Sequence, residues 1–461
     1  MRHIFEILRN THSYSRPNKN LGARLAVLAL AALLALGGCA GPSVKPADIQ
    51  LPPQEAARYL GRHWRLDPAA QARLTKDFWR QYFACWQDPR PEEGLVAMVD
   101  EFADKTAQPG LGENLLPRDP AWVEALEANA ALASYPNAAR PGLTVGWLNL
   151  RVLPTDRPSV GEANAPGDLT FDRLQQSLLP PNLPVYVHHQ SRDGAWLLVQ
   201  TPIAWGWLPS RQVAAVSQAQ QRRWRAAGFM AFLADDQPVN DRDGRFLFMA
   251  GLGCLLPVAE NGHGALAAVA DQHGNAVIVE AHFDRRWATP HPLPLTAVNL
   301  AAVIDGQLGR PYGWGGLFGN RDCSATLQDV FRVFGLWLPR NSGDQAETGR
   351  RLGLAGQSAA RKEATIVAEG LPGLTILWMP GHVMLYLGDD NGRPVAFHNA
   401  WSLRLRDFWG NQGRAILGRA LITTLRPGDD LPDLVKPDGV LVNRLEAMTL
   451  LVEPSDVLTI R

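Results

Sequence analysis

Apolar and polar positions alternate in a way that divides the chain into segments. Residues 25–36 run LAVLALAALLAL without a charge, after Arg2, Arg9, Arg16, Lys19 and Arg24 and the single acid Glu6. A basic stretch followed by a short apolar run predicts a signal peptide over residues 1–38, because a membrane span needs roughly 20 apolar residues. Residues 39–54 are proline-rich and read as a tether. Residues 55–138 read as helical. Asp67-Pro68 is a cap followed by a first-turn proline, and Leu74, Phe78, Tyr82 and Phe83 fall on one helical face. Pro91-Glu92-Glu93 opens a second helix, and Asp119-Pro120 a third that runs to about Ala133.

Near Arg140 the period changes. Short apolar runs separated by turns (TVGWLNLRVL, LPVYVHH, AWLLVQT, IAWGWLP) predict a small β-barrel over residues 139–217. Gly206-Trp207 after a strand resembles bacterial SH3-like domains. A second set of runs, with Gln272-His273-Gly274-Asn275 as a turn, predicts a similar barrel over 218–292. From 293 to 461 helices and strands mix, as an α+β domain requires. Val298–Leu308 reads as helical. The whole is therefore an α+β multidomain chain.

Charge and cysteine content narrow the class. The chain carries 45 basic and 45 acidic side chains. Without residues 1–38 it is weakly acidic, so it has no basic field for a phosphate backbone and nucleic acid is not an expected partner. The small residues of Leu36-Gly37-Gly38-Cys39 resemble the lipobox of bacterial lipoproteins, which would place a lipid on Cys39. Cys85, Cys254 and Cys323 then remain, an odd number that prompts a search for a reactive thiol. Whether Cys85 and Cys254 pair is left open.

Residues 308–345 hold the candidate chemistry. Cys323 follows a glycine-rich loop and opens a helix whose Leu327, Val330, Phe331 and Phe334 share one face, with Asp322 as N-cap. A cysteine on a first helical turn meets the positive end of the helix dipole, which lowers thiol pKa. Two strands, His382–Leu387 and Pro394–Asn399, flank the turn Asp389-Asp390-Asn391-Gly392. In a hairpin centred near Asp390, His382 lies opposite His398. One histidine could then take the thiol proton while the other fixes its tautomer. The glycine loop lacks the Gly-Lys-Ser/Thr ending of a phosphate site. His188-His189 reads as a strand-surface pair, with no companion ligands at zinc spacing. No metal or cofactor is expected.

Tyr312-Gly313-Trp314-Gly315-Gly316, Asp322-Cys323-Ser324, Leu338-Pro339-Arg340, Gln345 and Gly381-His382-Val383 occur in that order. Together they resemble the NlpC/p60 family of papain-like cell-wall peptidases, over about residues 295–425. Ala325 departs from the family's usual glycine but stays small. The resemblance implies Cys323 as nucleophile, His382 as general base, His398 as the orienting third member, and Tyr312 near the oxyanion. The helical region and two SH3-like barrels resemble a subgroup of γ-D-glutamyl-L-diamino-acid endopeptidases acting on stem peptides, with diaminopimelate as the diamino acid. That subgroup's first barrel walls off the cleft. Asp322 and Ser324 match the positions that hold a free L-Ala amine, and Trp205 is the expected wall residue from the first barrel. The expected partners are stem peptides or muropeptides and a membrane reached through the lipid on Cys39. The expected place is the periplasmic side of the cell envelope. Two other readings are a non-catalytic scaffold that binds wall peptide or glycan, and an acyl transferase on the same fold.

Overall fold

The computed structural model describes residues 44–61, 63–161, 170–259, 264–406 and 410–459. The signal peptide and Cys39 lie outside them. No helix among the described residues is long and apolar enough to cross a membrane.

The helix signals in the sequence are realised with small shifts. Asp67 accepts from the backbone N–H groups of Ala69 and Ala70, and the helix runs Pro68–Tyr82. A second helix spans Pro91–Ala107. The third runs Pro120–Ala130 and stops short of Ala133, because Ala131 is left-handed at φ 49°. Residues 44–54 are not a free tether. Val44–Pro46 pairs in parallel with Arg414–Ile416, and the Gln54 side chain brackets Ile422 by donating to its C=O and accepting from its N–H. An expected coil is thus an edge strand of the last domain.

The first barrel is a seven-stranded sheet in the order Gln175–Leu179, Leu148–Arg151, Trp205–Pro209, Trp196–Gln200, Pro184–Gln190, Arg140–Thr144, Val213–Ala215. The second is built from smaller pieces, a three-stranded sheet around Phe229–Phe232 and two hairpins. His188 and His189 are fully buried rather than on a strand surface. His188 Nε2 bonds Gln200 Oε1 at 3.1 Å and His189 Nε2 bonds the C=O of Ala130 at 2.8 Å, which ties the barrel to the helical region. Cys85 and Cys254 are buried free thiols, so they do not pair.

The last domain sets the helix Cys323–Arg332 against a seven-stranded sheet. Its centre is the hairpin His382–Asp390 and Arg393–Arg406. The turn is the pair Asn391-Gly392, at φ 54° and 78°, the left-handed conformation that a two-residue hairpin turn needs. The register shifts between Tyr386 and Gly388, so Leu385 faces Phe397. Continued along the strands, that register sets Met384 opposite His398. His382 is therefore not directly opposite His398 but one step diagonal on the same face, still within side-chain reach.

The domains are locked together. Arg321 donates to Asp235 of the second barrel at 2.8 and 2.9 Å and to Asp329 of the Cys323 helix at 2.6 Å. The Gln71 side chain bridges the first long helix to Leu293, Leu295 and Phe334. The glycine loop 314–319 lies directly on the first barrel. A Cβ on Gly316 (φ 92°) would sit 2.2 Å from Leu178 Cβ and 2.7 Å from its backbone nitrogen. Gly319 (φ 75°) has no such neighbour. Gly316→Ala should therefore cost roughly 2–4 kcal/mol from overlap plus backbone strain, and Gly319→Ala the backbone part alone. Thermal unfolding of the two variants checks this, and equal midpoints would contradict the close contact.

Candidate active site

Asp322 organises the loop that presents the thiol. Its carboxylate caps the helix by accepting from Ala325 N–H at 2.9 Å, and it accepts from Gly315 N–H at 3.0 Å. Arg340 donates to both carboxylate oxygens at 2.6 and 3.1 Å, to Ser324 Oγ at 2.9 Å, and through Nε to Ser177 Oγ of the first barrel at 2.8 Å. Burial raises the Asp322 pKa. Arg340 and the backbone donors more than offset that and hold the carboxyl below its ordinary range. Asp322 is thus an ionised, fully engaged carboxylate.

Cys323 is buried on the first turn of its helix. The helix dipole does not win here. Burial pushes the thiol up to about 12, and the neighbouring Asp322 charge adds to it, against the lowering effects of the Val383 and Ser324 N–H groups and of Arg340. A dipole effect of about 0.3–2 kcal/mol is at most about 1.5 pKa units, too little to reverse burial.

The strand that passes the thiol carries His382. Its Nε2 bonds His398 Nδ1 at 2.8 Å, and His398 Nε2 bonds Thr423 Oγ1 at 3.0 Å. With Nε2 committed to His398, Nδ1 of His382 is the nitrogen left for proton transfer. When His382 is doubly protonated it can only donate, so His398 accepts at Nδ1, carries its own proton on Nε2 and donates to Thr423. Burial lowers His382 to about 4, with the Arg444 charge adding to it, and burial with His382 drives His398 well down. Burial thus favours the neutral form of the thiol and of both imidazoles. Tyr312 lines both the cleft that holds Cys323 and the cavity that holds His382. Burial and the charges of Cys323 and Asp322 raise its pKa, so it remains a hydrogen-bond donor.

One side of the cleft is a cavity of about 710 Å³ around Cys323, Asp322, Ser324 and Arg340. Its far wall comes from other domains, with Lys105 and Gln108 from the helical region and Val152, Arg173 and Gln175 from the first barrel. Gln175 donates to the Gly315 C=O at 3.0 Å. Trp205 is not part of this wall. It stacks on His188 with ring centroids 4.8 Å apart and lies over Gly94 of the Pro91–Ala107 helix, in the core between barrel and helices. The wall residues carried no sequence signal. Strand alternation marks Gln175 and Ser177 as sharing a face, but not which domain that face meets.

A helix-start cysteine with a hydrogen-bonded histidine pair, in a cleft of an α+β domain, is an arrangement suited to the acyl-transfer chemistry of cysteine peptidases. Residues 309–400 match the NlpC/P60 family, 27–135 the N-terminal NLPC_P60 stabilising domain, 162–209 an SH3 domain of SH3b1 type and 217–261 one of SH3b2 type. The chain carries an NlpC/P60 domain preceded by two bacterial SH3 domains, and NlpC/P60 peptidases are cysteine peptidases among the peptidoglycan hydrolases. An NlpC/P60 endopeptidase from Photobacterium damselae subsp. piscicida is similar over 89% of this chain and 99% of its own, with 25% identity and a TM-score of 0.80. A Bacillus cereus ATCC 10987 protein of the family aligns over 68% of this chain and all of its own, with 15% identity and a TM-score of 0.44. The γ-D-glutamyl-L-lysine dipeptidyl-peptidase of Bacillus subtilis strain 168 is 35% identical over 82 residues, 18% of this chain. The match spans 26% of that relative's length.

A raised thiol pKa has a direct readout. The thiolate fraction at neutral pH is small and grows only as pH climbs. Alkylation of Cys323 by iodoacetamide, followed by the mass of the peptide that carries it, should accelerate through pH 9–10. A rate that is already level between pH 5 and 8 would mean a preformed thiolate–imidazolium pair instead.

Proposed function

We propose that this chain hydrolyses the bond between the γ-D-glutamyl residue and the diamino acid of peptidoglycan stem peptides. The reading is carried by one observation: a thiol beside a His–His–Thr hydrogen-bonded series at the mouth of a cleft walled by a second domain. Cys323 Sγ attacks the γ-carbonyl carbon as its proton passes to His382 Nδ1. His398 accepts from Nε2 and steadies the imidazolium, and Tyr312 donates toward the developing oxyanion. Collapse breaks the C–N bond, and His382 returns the proton to the departing amine. The thioester is then attacked by a water that gives its proton to His382, and the thiol is restored.

The wall built by Gln175, Arg173 and the helical region supports a short stem whose amino end stops in the cleft. Asp322 and Ser324 line the same cavity. Because Asp322 is shared with Arg340, an incoming L-Ala ammonium competes for occupied lone pairs and does not meet a bare anion. The preference for a free amino end then rests mainly on the wall. Envelope location follows from the wall-hydrolase family, and a lipid on Cys39 would hold the protein at the membrane. Cys39→Ser should then move it to the soluble envelope fraction.

Cys323→Ala should lower cleavage of L-Ala-γ-D-Glu-diamino-acid peptides by more than about a thousandfold with folding intact, and His382→Ala by about 10²–10⁴-fold. His398→Ala should cost less, since water can replace part of its role. Free stems should be cut faster than N-acetylated or glycan-linked ones. Full activity in Cys323→Ala would end the thiol mechanism. Equal rates on free and glycan-linked stems would mean that the cleft is open.

A further inference from the structure

The strand that carries His398 continues at once into Asn399, a side chain only 1% exposed that takes no part in the proton transfers. Its amide Nδ2 donates to the C=O of Arg321 at 2.9 Å and to Thr326 Oγ1 at 3.2 Å. Those two residues bracket Cys323. Arg321 lies in the loop that leads to the thiol, and Thr326 lies in the helix that Cys323 opens. The Thr326 hydroxyl donates in turn to the C=O of Asp322 at 2.8 Å. One side chain thus joins the loop and the helix start around the thiol to the strand that holds the histidine pair.

The direction of the amide is fixed by its partners. A peptide C=O only accepts, and the Thr326 hydroxyl has spent its proton on Asp322, so the NH2 group must face both. The amide oxygen is left buried with no partner among the described residues. A buried acceptor that accepts nothing has lost its hydration without return, so core packing does not favour an asparagine here over an apolar residue. What the asparagine supplies is its two donated bonds, and both go to the cysteine side. The same loop is braced from a second direction, because the Arg321 guanidinium reaches Asp235 of the second barrel. None of the described residues lining the cleft around Cys323 comes from that barrel, so its tie to the site runs through this loop.

We propose that Asn399 is a positioning residue, which sets the spacing between Cys323 and the His382–His398 pair by clamping the nucleophile's loop to the histidine strand. The proposal rests on the hydrolase reading above. Transfer of the thiol proton to His382 tolerates little drift, and a misplacement of about 1 Å costs on the order of a hundredfold in rate. The far wall of the cleft comes from the first barrel and the helical region, and Asn399 donates to neither. Loss of the clamp therefore acts on the chemical step and spares stem binding.

The mature protein and its variants would be assayed on a free L-Ala-γ-D-Glu-diamino-acid peptide, well below their unfolding midpoints. Asn399→Ala should lower kcat about ten- to a hundredfold with KM within about twofold of wild type. Its thermal midpoint should stay near that of wild type, since the orphaned oxygen leaves with the clamp. Asn399→Asp keeps the shape, but its carboxyl can donate only when protonated, and burial favours that form. Its rate relative to wild type should therefore be lowest at high pH and recover as pH falls. An asparagine that serves stability alone would move the midpoint and leave both kcat and this ratio where they are. If Asn399→Ala does not fold, Thr326→Val removes one of the two acceptors and should lower kcat about two- to tenfold, the range of one hydrogen bond. Thr326→Ser, which keeps the hydroxyl, should retain most of the rate. Unchanged kcat in Asn399→Ala, or in Thr326→Val where the alanine variant does not fold, overturns the positioning role and leaves the hydrolase reading intact. So does a rise in KM in place of a fall in kcat. No cleavage by wild type ends the hydrolase reading and takes the positioning role with it.

Discussion

Asp322 accepts hydrogen bonds from the start of its own helix, from the glycine loop, from Ser324 and from Arg340, while Arg340 reaches on to Ser177 in the first barrel. Everything around the thiol depends on that buried ion pair. It sets the helix start that carries Cys323, the path of the loop that carries Tyr312 and Trp314, and the docking of the barrel that closes the cleft. A buried pair of this kind adds little net stability, because desolvation offsets the Coulomb gain. Removing one partner is another matter, and leaves an uncompensated charge at a cost of about 3–5 kcal/mol. The pair therefore acts as a registration device between three segments whose own contacts would allow several arrangements.

The same burial that makes Asp322 and Arg340 interdependent decides the proton inventory of the site. It raises the thiol and lowers both histidines, which favours the neutral form of each. Neutral groups can be packed into this core at little cost, whereas a resting thiolate–imidazolium pair would have to be solvated there. Charge separation is then confined to the moment of attack, when the oxyanion can draw on Tyr312. His398 and Thr423 supply the acceptor and the second step that let His382 become cationic with a histidine, not a carboxylate, as its hydrogen-bond partner.

How much of this could be read from the sequence depended on how local each feature is. Cys323, its Asp322 cap and the apolar face of the helix follow from spacing within ten residues. The hairpin was marked by Asn391-Gly392, yet the expected register was off because the turn centres between those two residues and not near Asp390, and the shift between Tyr386 and Gly388 recovers only one residue of the difference. A helix start is visible in the sequence, and the burial that opposes its effect on the thiol is not. Trp205 failed for a related reason. Alternation correctly makes it a strand residue, but which face of a barrel meets which neighbour is settled by the docking of whole domains. Val44–Pro46 looked like tether because three residues of edge strand carry too little pattern to distinguish them from coil.

The cleft around Cys323 lies at a seam between domains, and the seams are stiff. The joint at Pro290–Pro294 is pinned by His291, whose ring lies 5.2 Å from Phe78 and 5.0 Å from Trp79 and whose Nε2 bonds the C=O of Arg332 at 2.9 Å. Arg321 joins the second barrel to the helix that bears Cys323. The first barrel, which supplies the wall, cannot swing aside without breaking the Arg340–Ser177 and Gln175–Gly315 hydrogen bonds. The first SH3 domain is in that sense part of the cleft, and on the proposed reading selectivity would come from geometry fixed before the substrate arrives. The cost of pre-assembly is borne in folding, where the domains must dock in one register. The return is that a stem peptide entering the cleft orders few protein groups, so more of its binding free energy remains to position the carbonyl carbon against Cys323.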